Sequence, residues 1–233
     1  MNRRDFLGVA GFGLVGTFTF PKATFGQSAT GGLEEHCFQI SPSKKIGMRE
    51  IDTTPEQFLR QNPNVEAVIN GAYFGQDNRP EGVAYLADGH HFATRRPEHT
   101  RGYFAVNREG SRVQVSEKLA GNLNNYWLVI GTHPLLVVNG EIHNQANENR
   151  YVERTPSYRS AIGTKDNGIC FAVSTGEISM REWAKRLKEV GYQGAINLDG
   201  DPISQMAVRE RDRILVKGGG TQNTRLVVFS YRP

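Results

Sequence analysis

Short apolar runs, many of them closed by glycine or by an Asn-Gly or Asp-Gly pair, recur along this chain and constrain its fold more than any other feature. Runs of that length suit strands, and the glycines (26 in all) suit tight connections between them. The candidate strands are 67–70, 83–86, 103–107, 112–115, 127–130, 135–138, 169–173, 195–198, 214–216 and 226–231. Val83–Leu86 and His90–Phe92, joined through Asp88-Gly89, read as a hairpin. No internal repeat or low-complexity linker divides the chain, so one domain is expected.

Two helices carry clear start signals. Thr54-Pro55-Glu56-Gln57 combines a cap, a proline in the first turn and a Gln three residues on, with Phe58 and Leu59 as apolar contacts and Pro63 as the stop. Ser179-Met180-Arg181-Glu182 is a capping box, followed by an apolar stripe of Trp183, Ala184, Leu187 and Val190 that Gly191 ends. The polar stretch 144–158 reads as a surface loop. Gly218-Gly219-Gly220 lacks the Lys-Ser/Thr of a phosphate loop and reads as a flexible connection.

Arg3-Arg4, then Phe6-Leu7 and a glycine-rich apolar run to Phe20, read as a twin-arginine export signal over residues 1–28, leaving 29–233 as a periplasmic domain. The rival reading is a basic terminus followed by a core helix, which Gly8, Gly11, Gly13 and Gly16 would weaken. A bilayer-spanning helix needs about 20 apolar residues, and no stretch supplies them, so no stable membrane span is expected once the signal is removed.

Arg3, Arg4 and Lys22 against Asp5 account for +2 of the net charge of +4. A balance that mild, without a basic cluster after the signal, argues against a nucleic-acid partner. His90 and His91 are adjacent and would face opposite sides of a strand, and no Cys-x-x-Cys, His-Glu-x-x-His or acidic calcium loop occurs. Neither a metal nor a cofactor is expected. Cys170 lies in an apolar run and reads as a buried thiol, so a bond to Cys37 is not expected.

The chemistry concentrates in four segments. Gly194-Ala195-Ile196-Asn197-Leu198-Asp199-Gly200 is a strand delivering a carboxylate to a sheet rim, or else an ordinary Asp-Gly turn. Val68-Ile69-Asn70-Gly71-Ala72-Tyr73-Phe74 is a strand closed by Asn-Gly with two aromatics beyond it. The others are Pro134–Glu141, closing on Asn139-Gly140, and Arg159-Ser160-Ala161-Ile162-Gly163 ahead of the Cys170 strand; Ile203-Ser204-Gln205-Met206 follows Asp199.

In this order and spacing, from about Val65 to Met206, the segments resemble the phosphodiester glycosidase family. The resemblance implies an α+β fold built on curved, mostly antiparallel sheet with a few packed helices in a single domain. It also implies hydrolysis of a sugar C1–O bond in a glycosyl phosphodiester, so the expected partner is a glycan or small molecule bearing that group. Two departures are Asp201-Pro202 ahead of Ile203-Ser204, and Gly131-Thr132-His133 ahead of Pro134.

Ordinary glycosidases need two carboxylates because a departing alkoxide must be protonated. A phosphate leaving group, with a last pKa of about 6, relaxes that need. The resemblance therefore implies that Asp199 activates water or stabilises the oxocarbenium-like carbon, and that Arg159 binds phosphate bidentately. Asn70 would complete the catalytic set by holding a sugar hydroxyl or the phosphate. Gly71, Tyr73, Phe74, Asn197, Gly200, Ser204 and His133 would line the substrate. Each has a plainer reading: Arg159 as a surface arginine, Asn70 and Ser204 as turn residues, Tyr73 and Phe74 as core aromatics, His133 as merely accommodated. Glu81 is the unmatched candidate for a second acid, which would make the protein a conventional O-glycosidase. A non-catalytic periplasmic binder of anionic glycans is the further alternative.

Overall fold

The computed structural model describes residues 32–41, 43–87, 92, 97–147 and 155–233. The expected export signal (1–28) and residues 88–91 of the expected hairpin lie outside those residues. Three sheets, antiparallel throughout, carry the chain. The first runs, edge to edge, through β1 (Leu33–Phe38), β11 (Gly168–Ser174), β10 (Ser160–Lys165), β12 (Gly194–Asn197), β8 (Leu135–Val138) and β9 (Glu141–Ile142). The second runs β14 (Arg213–Lys217), β13 (Met206–Glu210), β3 (Val65–Asn70), β15 (Thr224–Tyr231) and β2 (Lys45–Thr53). The third runs β4 (Val83–Leu86), β7 (Tyr126–Thr132), β5 (Gly102–Asn107) and β6 (Val113–Ser116).

Strand alternation divides the apolar residues into layers. Along β11, Ile169, Phe171 and Val173 enter the central core, which draws on all three sheets, while Cys170 and Ala172 face the layer under helix α2 (Met180–Glu189). Along β3, Ala67 and Ile69 face the central core, and Val65 and Val68 pack under helix α1 (Pro55–Gln61) with Phe58 and Leu59. Both sheets are thus covered on two faces, which is why β11 and much of β3 read as continuous apolar runs.

Both helices start where expected. The Thr54 hydroxyl accepts from Gln57 N–H, and Ser179 accepts from Glu182 N–H. Val190, expected in the buried stripe, stands 37% exposed at the C-cap, because the helix turns ended one residue earlier.

Several expectations are corrected. Among the described residues, strand makes up 49% against two α-helices, so the fold is richer in β than the α+β expectation implies. Strands β1, β2, β9, β10 and β13 are absent from the strands expected of the sequence. The edge strands β1 and β2 carry Glu34, Glu35, Lys45, Arg49 and Glu50, and such charges blunt an exposed edge while erasing its apolar signature. Cys37 and Cys170 form a disulfide, directly opposed across β1 and β11. The thiol in the apolar run was legible, but the strand that presents its partner was not. The segment 144–158 is not wholly superficial either, since Ala146 and Ser157 are buried and Ser157 bridges to Ile178. Gly218–Gly220 is closely packed: a Cβ on Gly220 would lie 2.7 Å from the Ser204 backbone, and one on Gly219 would enter the Tyr158 ring.

Candidate active site

The site lies where β3, β12 and the lead-in to β10 end together. β12 departs from regular register with β8 between Ala195 and Ile196, and an irregularity of that kind re-aims the residues that follow it. Those residues are Asn197, Leu198 and Asp199. Main-chain bonds then fix the turn: Leu198 N–H donates to Ser160 O (2.9 Å) and Asp199 N–H to Gly71 O (3.0 Å). Gly71 N–H donates in turn to Leu226 O (2.7 Å), and Leu226 fills the space where a Gly71 side chain would stand. The absent Gly71 side chain makes room for Leu226, while the Gly71 carbonyl holds the Asp199 main chain.

Asp199 is partly buried, and its carboxylate accepts from Gly200 N–H at 2.8 Å. Burial pushes this carboxyl up to about 7, opposed by the Gly200 bond and reinforced by the charges of Asp201 and Glu81. Asp199 therefore senses two further acids here, where the matched motif has one. Asp201 is tied to the Ser157 hydroxyl, and its N–H donates to Tyr158 O at 3.0 Å. Glu81 is carried on a loop whose Phe74 and Pro80 bridge, and its N–H donates to Tyr73 O at 2.6 Å. Neither Asp201 nor Glu81 belongs to the matched set. The Asp-Gly-Asp spacing was the sequence signal for Asp201; Glu81 had only its residue type.

Asn70 is closed in rather than facing a cleft, at 0% exposure. Its Nδ2 donates to Asp199 O (2.8 Å), and its Oδ1 accepts from Ser160 Oγ (2.7 Å) and Gln205 N–H (3.1 Å). Ser204, also 0% exposed, joins this group through Ser160 Oγ at 2.9 Å. Arg159 is 2% exposed, which removes the surface-arginine reading. Its Nε donates to Ile178 O (3.2 Å) and one Nη to Thr155 O (2.8 Å), while the other Nη lies 3.8 Å from where a Cβ on Gly200 would be. The guanidinium therefore adjoins the Asp199-Gly200 turn.

On the other flank, His133 stacks on Tyr73, ring centroids 4.9 Å apart and 20° from parallel, ahead of a cis bond to Pro134. Asn197 Nδ2 donates to Tyr73 Oη at 2.6 Å, linking the pair to β12. Asn197 Oδ1 is buried and finds no partner among the described residues. Tyr73, His133 and Phe74 are all partly exposed, as a wall open to a ligand requires. Among the described residues, no group of three His, Cys, Asp or Glu is arranged to hold a metal ion.

This arrangement can donate or accept a proton near neutral pH beside a buried cation and a stacked aromatic wall. The fold has counterparts among solved structures. The crystal structure of a hypothetical protein from Synechocystis is similar at TM-score 0.68 and 14% identity, covering 86% of this chain; the chain spans 59% of that one. The catalytic domain of zebrafish N-acetylglucosamine-1-phosphodiester alpha-N-acetylglucosaminidase, auto-inhibited by its pro-peptide, is similar at TM-score 0.63 and 15% identity, covering 89% of this chain and 86% of that one. No curated protein matches the sequence. The family model described as phosphodiester glycosidase matches residues 63–228, and the chain belongs to that family.

Proposed function

We propose that this protein hydrolyses the sugar C1–O bond of a glycosyl phosphodiester, with Asp199 as the acid–base group. The observation that carries the reading is a carboxyl held near neutrality by burial, at the common end of β3 and β12, in a chain of this family. A group titrating at about 7 exchanges protons efficiently at physiological pH. Asp199 in its ionised form takes a proton from water as the water attacks C1, and the phosphate leaves with the bonding electrons. Arg159 supplies positive charge from beside Gly200. With Nε and one Nη committed to carbonyls, it acts through its field rather than as a two-pronged clamp. Tyr73 and His133 offer the sugar an apolar face, and Asn70 holds the turn that presents Asp199.

Glu81 favours a second reading. Its charge reaches Asp199, so a two-carboxylate apparatus is present in outline, and such a pair does not require a phosphate leaving group. Assays of the full chain on a sugar-1-phosphodiester and on an aryl glycoside lacking phosphate separate the two. Cleavage of the first alone, abolished in a folded Asp199→Asn variant, supports the phosphodiester reading; cleavage of the second, lost in Glu81→Gln, supports the conventional one. Export through Arg3-Arg4 belongs to the same proposal. Replacing both arginines by lysine should leave the protein in the cytoplasm, and unchanged periplasmic recovery would refute it.

A further inference from the structure

Gln205 has no role in the chemistry above, yet it is 5% exposed and uses every polar group it owns. Its side-chain Oε1 accepts from Glu56 N–H at 3.1 Å, and its Nε2 donates to Gly220 O at 2.7 Å. Its main chain pairs with Asn70 twice: Gln205 N–H donates to Asn70 Oδ1, and Asn70 N–H donates to Gln205 O, both at 3.1 Å. Asn70 Nδ2 in turn holds the Asp199 carbonyl. One residue therefore connects the first turn of α1, the glycine loop and the acid.

Each contact answers a physical need. Glu56 is in the first helical turn, where N–H groups have no intrahelical acceptor. Gly220 belongs to a loop whose close packing on Ser204 leaves no room for a side chain, and Gly220 N–H donates to Ser204 O at 2.8 Å. Ser160, from the first sheet, closes the circuit by donating to Asn70 of the second and meeting Ser204. Satisfied buried networks of this kind fix one geometry, because each lost bond strands a partner away from water.

We propose that Gln205 is a positioning residue for Asp199, acting through Asn70 and bracing the Asp199 turn against helix α1 and the Gly218–Gly220 loop. This rests on Asp199 being the working acid, so the test reads the carboxyl itself rather than turnover. In full-length protein labelled with 13C at aspartate side-chain carboxyls, the Asp199 titration midpoint is followed by NMR. Gln205→Met keeps the side chain's length and removes both polar atoms. The expected result is a fall of at least one pH unit in the Asp199 midpoint as water reaches the loosened turn, with the other aspartates unmoved, and a tenfold loss of Glu56 amide protection from hydrogen exchange. A folded Gln205→Met protein with an unmoved Asp199 midpoint overturns the proposal. Should that variant not fold, two measurements remain. Gln205→Asn adds no charge and leaves an amide too short to span Glu56 and Gly220 together, and must lower the midpoint; an unmoved midpoint overturns the proposal. An unprotected Glu56 amide in the native protein overturns it without any variant. If the native protein cleaves no sugar phosphodiester while these shifts appear, the substrate reading fails and the bracing role stands.

Discussion

Asp199 links site chemistry to stability. Its carboxyl is raised by burial, so the folded state binds a proton that the unfolded chain releases at about 4. The sign is fixed by that order: the contribution is fully present below pH 4 and is lost as pH rises from about 4 through about 7. At 1.36 kcal/mol per unit, the span is on the order of 4 kcal/mol at most. Asp199→Asn should therefore flatten the pH dependence of unfolding and melt higher than the native protein at pH 8, while turnover falls by about 10²–10⁴-fold. Denaturant melts between pH 4 and 8 check this, and an Asn variant that keeps the native slope contradicts it. At this scale the sequence disclosed which residues matter better than what they do. Asp199, Asn70 and Arg159 were all legible as strand-end polar groups. The complete burial of Asn70 and Arg159 was not, because burial depends on which distant segment covers a side chain. Glu81 joins the site through tertiary approach, whereas Asp201 comes with Asp199 as its neighbour two residues on.

Strands with unbroken apolar runs and capped helices announced themselves; strands interrupted by polar or charged residues, and packed loops, did not. β4 and β8 were legible to the residue, and β7 and β11 nearly so, because both faces are covered and the apolar run is unbroken. β1 and β2 were hidden by charge, and β13 by its short Met-Ala-Val run before Arg209-Glu210. The Gly218–Gly220 loop shows the opposite failure, since a glycine triplet signals freedom in isolation and tight packing in context. Gly220→Ala tests the packed reading. The added methyl meets main chain at 2.7 Å, which cannot rotate aside. The expected cost is about 1–3 kcal/mol, read as an earlier urea midpoint with unchanged slope. Native stability in the variant would restore the flexible connection.

For the molecule as a whole, the Cys37–Cys170 bond ties the first described strand, at the edge of its sheet, to the neighbouring strand β11, 133 residues on. Cys170 is buried, whereas Cys37 is exposed. Reduction, or a Cys37→Ser/Cys170→Ser pair, should lower stability by about 2–5 kcal/mol, measured by denaturant melts with and without reductant. Equal melts in both conditions would show that the bond contributes nothing. Because β11 and β10 separate β1 from β12, the strand that delivers Asp199, the Asp199 titration should survive that change.

The bond between Ser160 and Asn70 joins the first and second sheets directly behind the acid. Those sheets cannot part to admit a larger guest without dismantling the reactive centre. New specificities in relatives of this protein should therefore arise by altering the lip, around Phe74–Glu81 and 155–158, above a floor that tolerates almost no change.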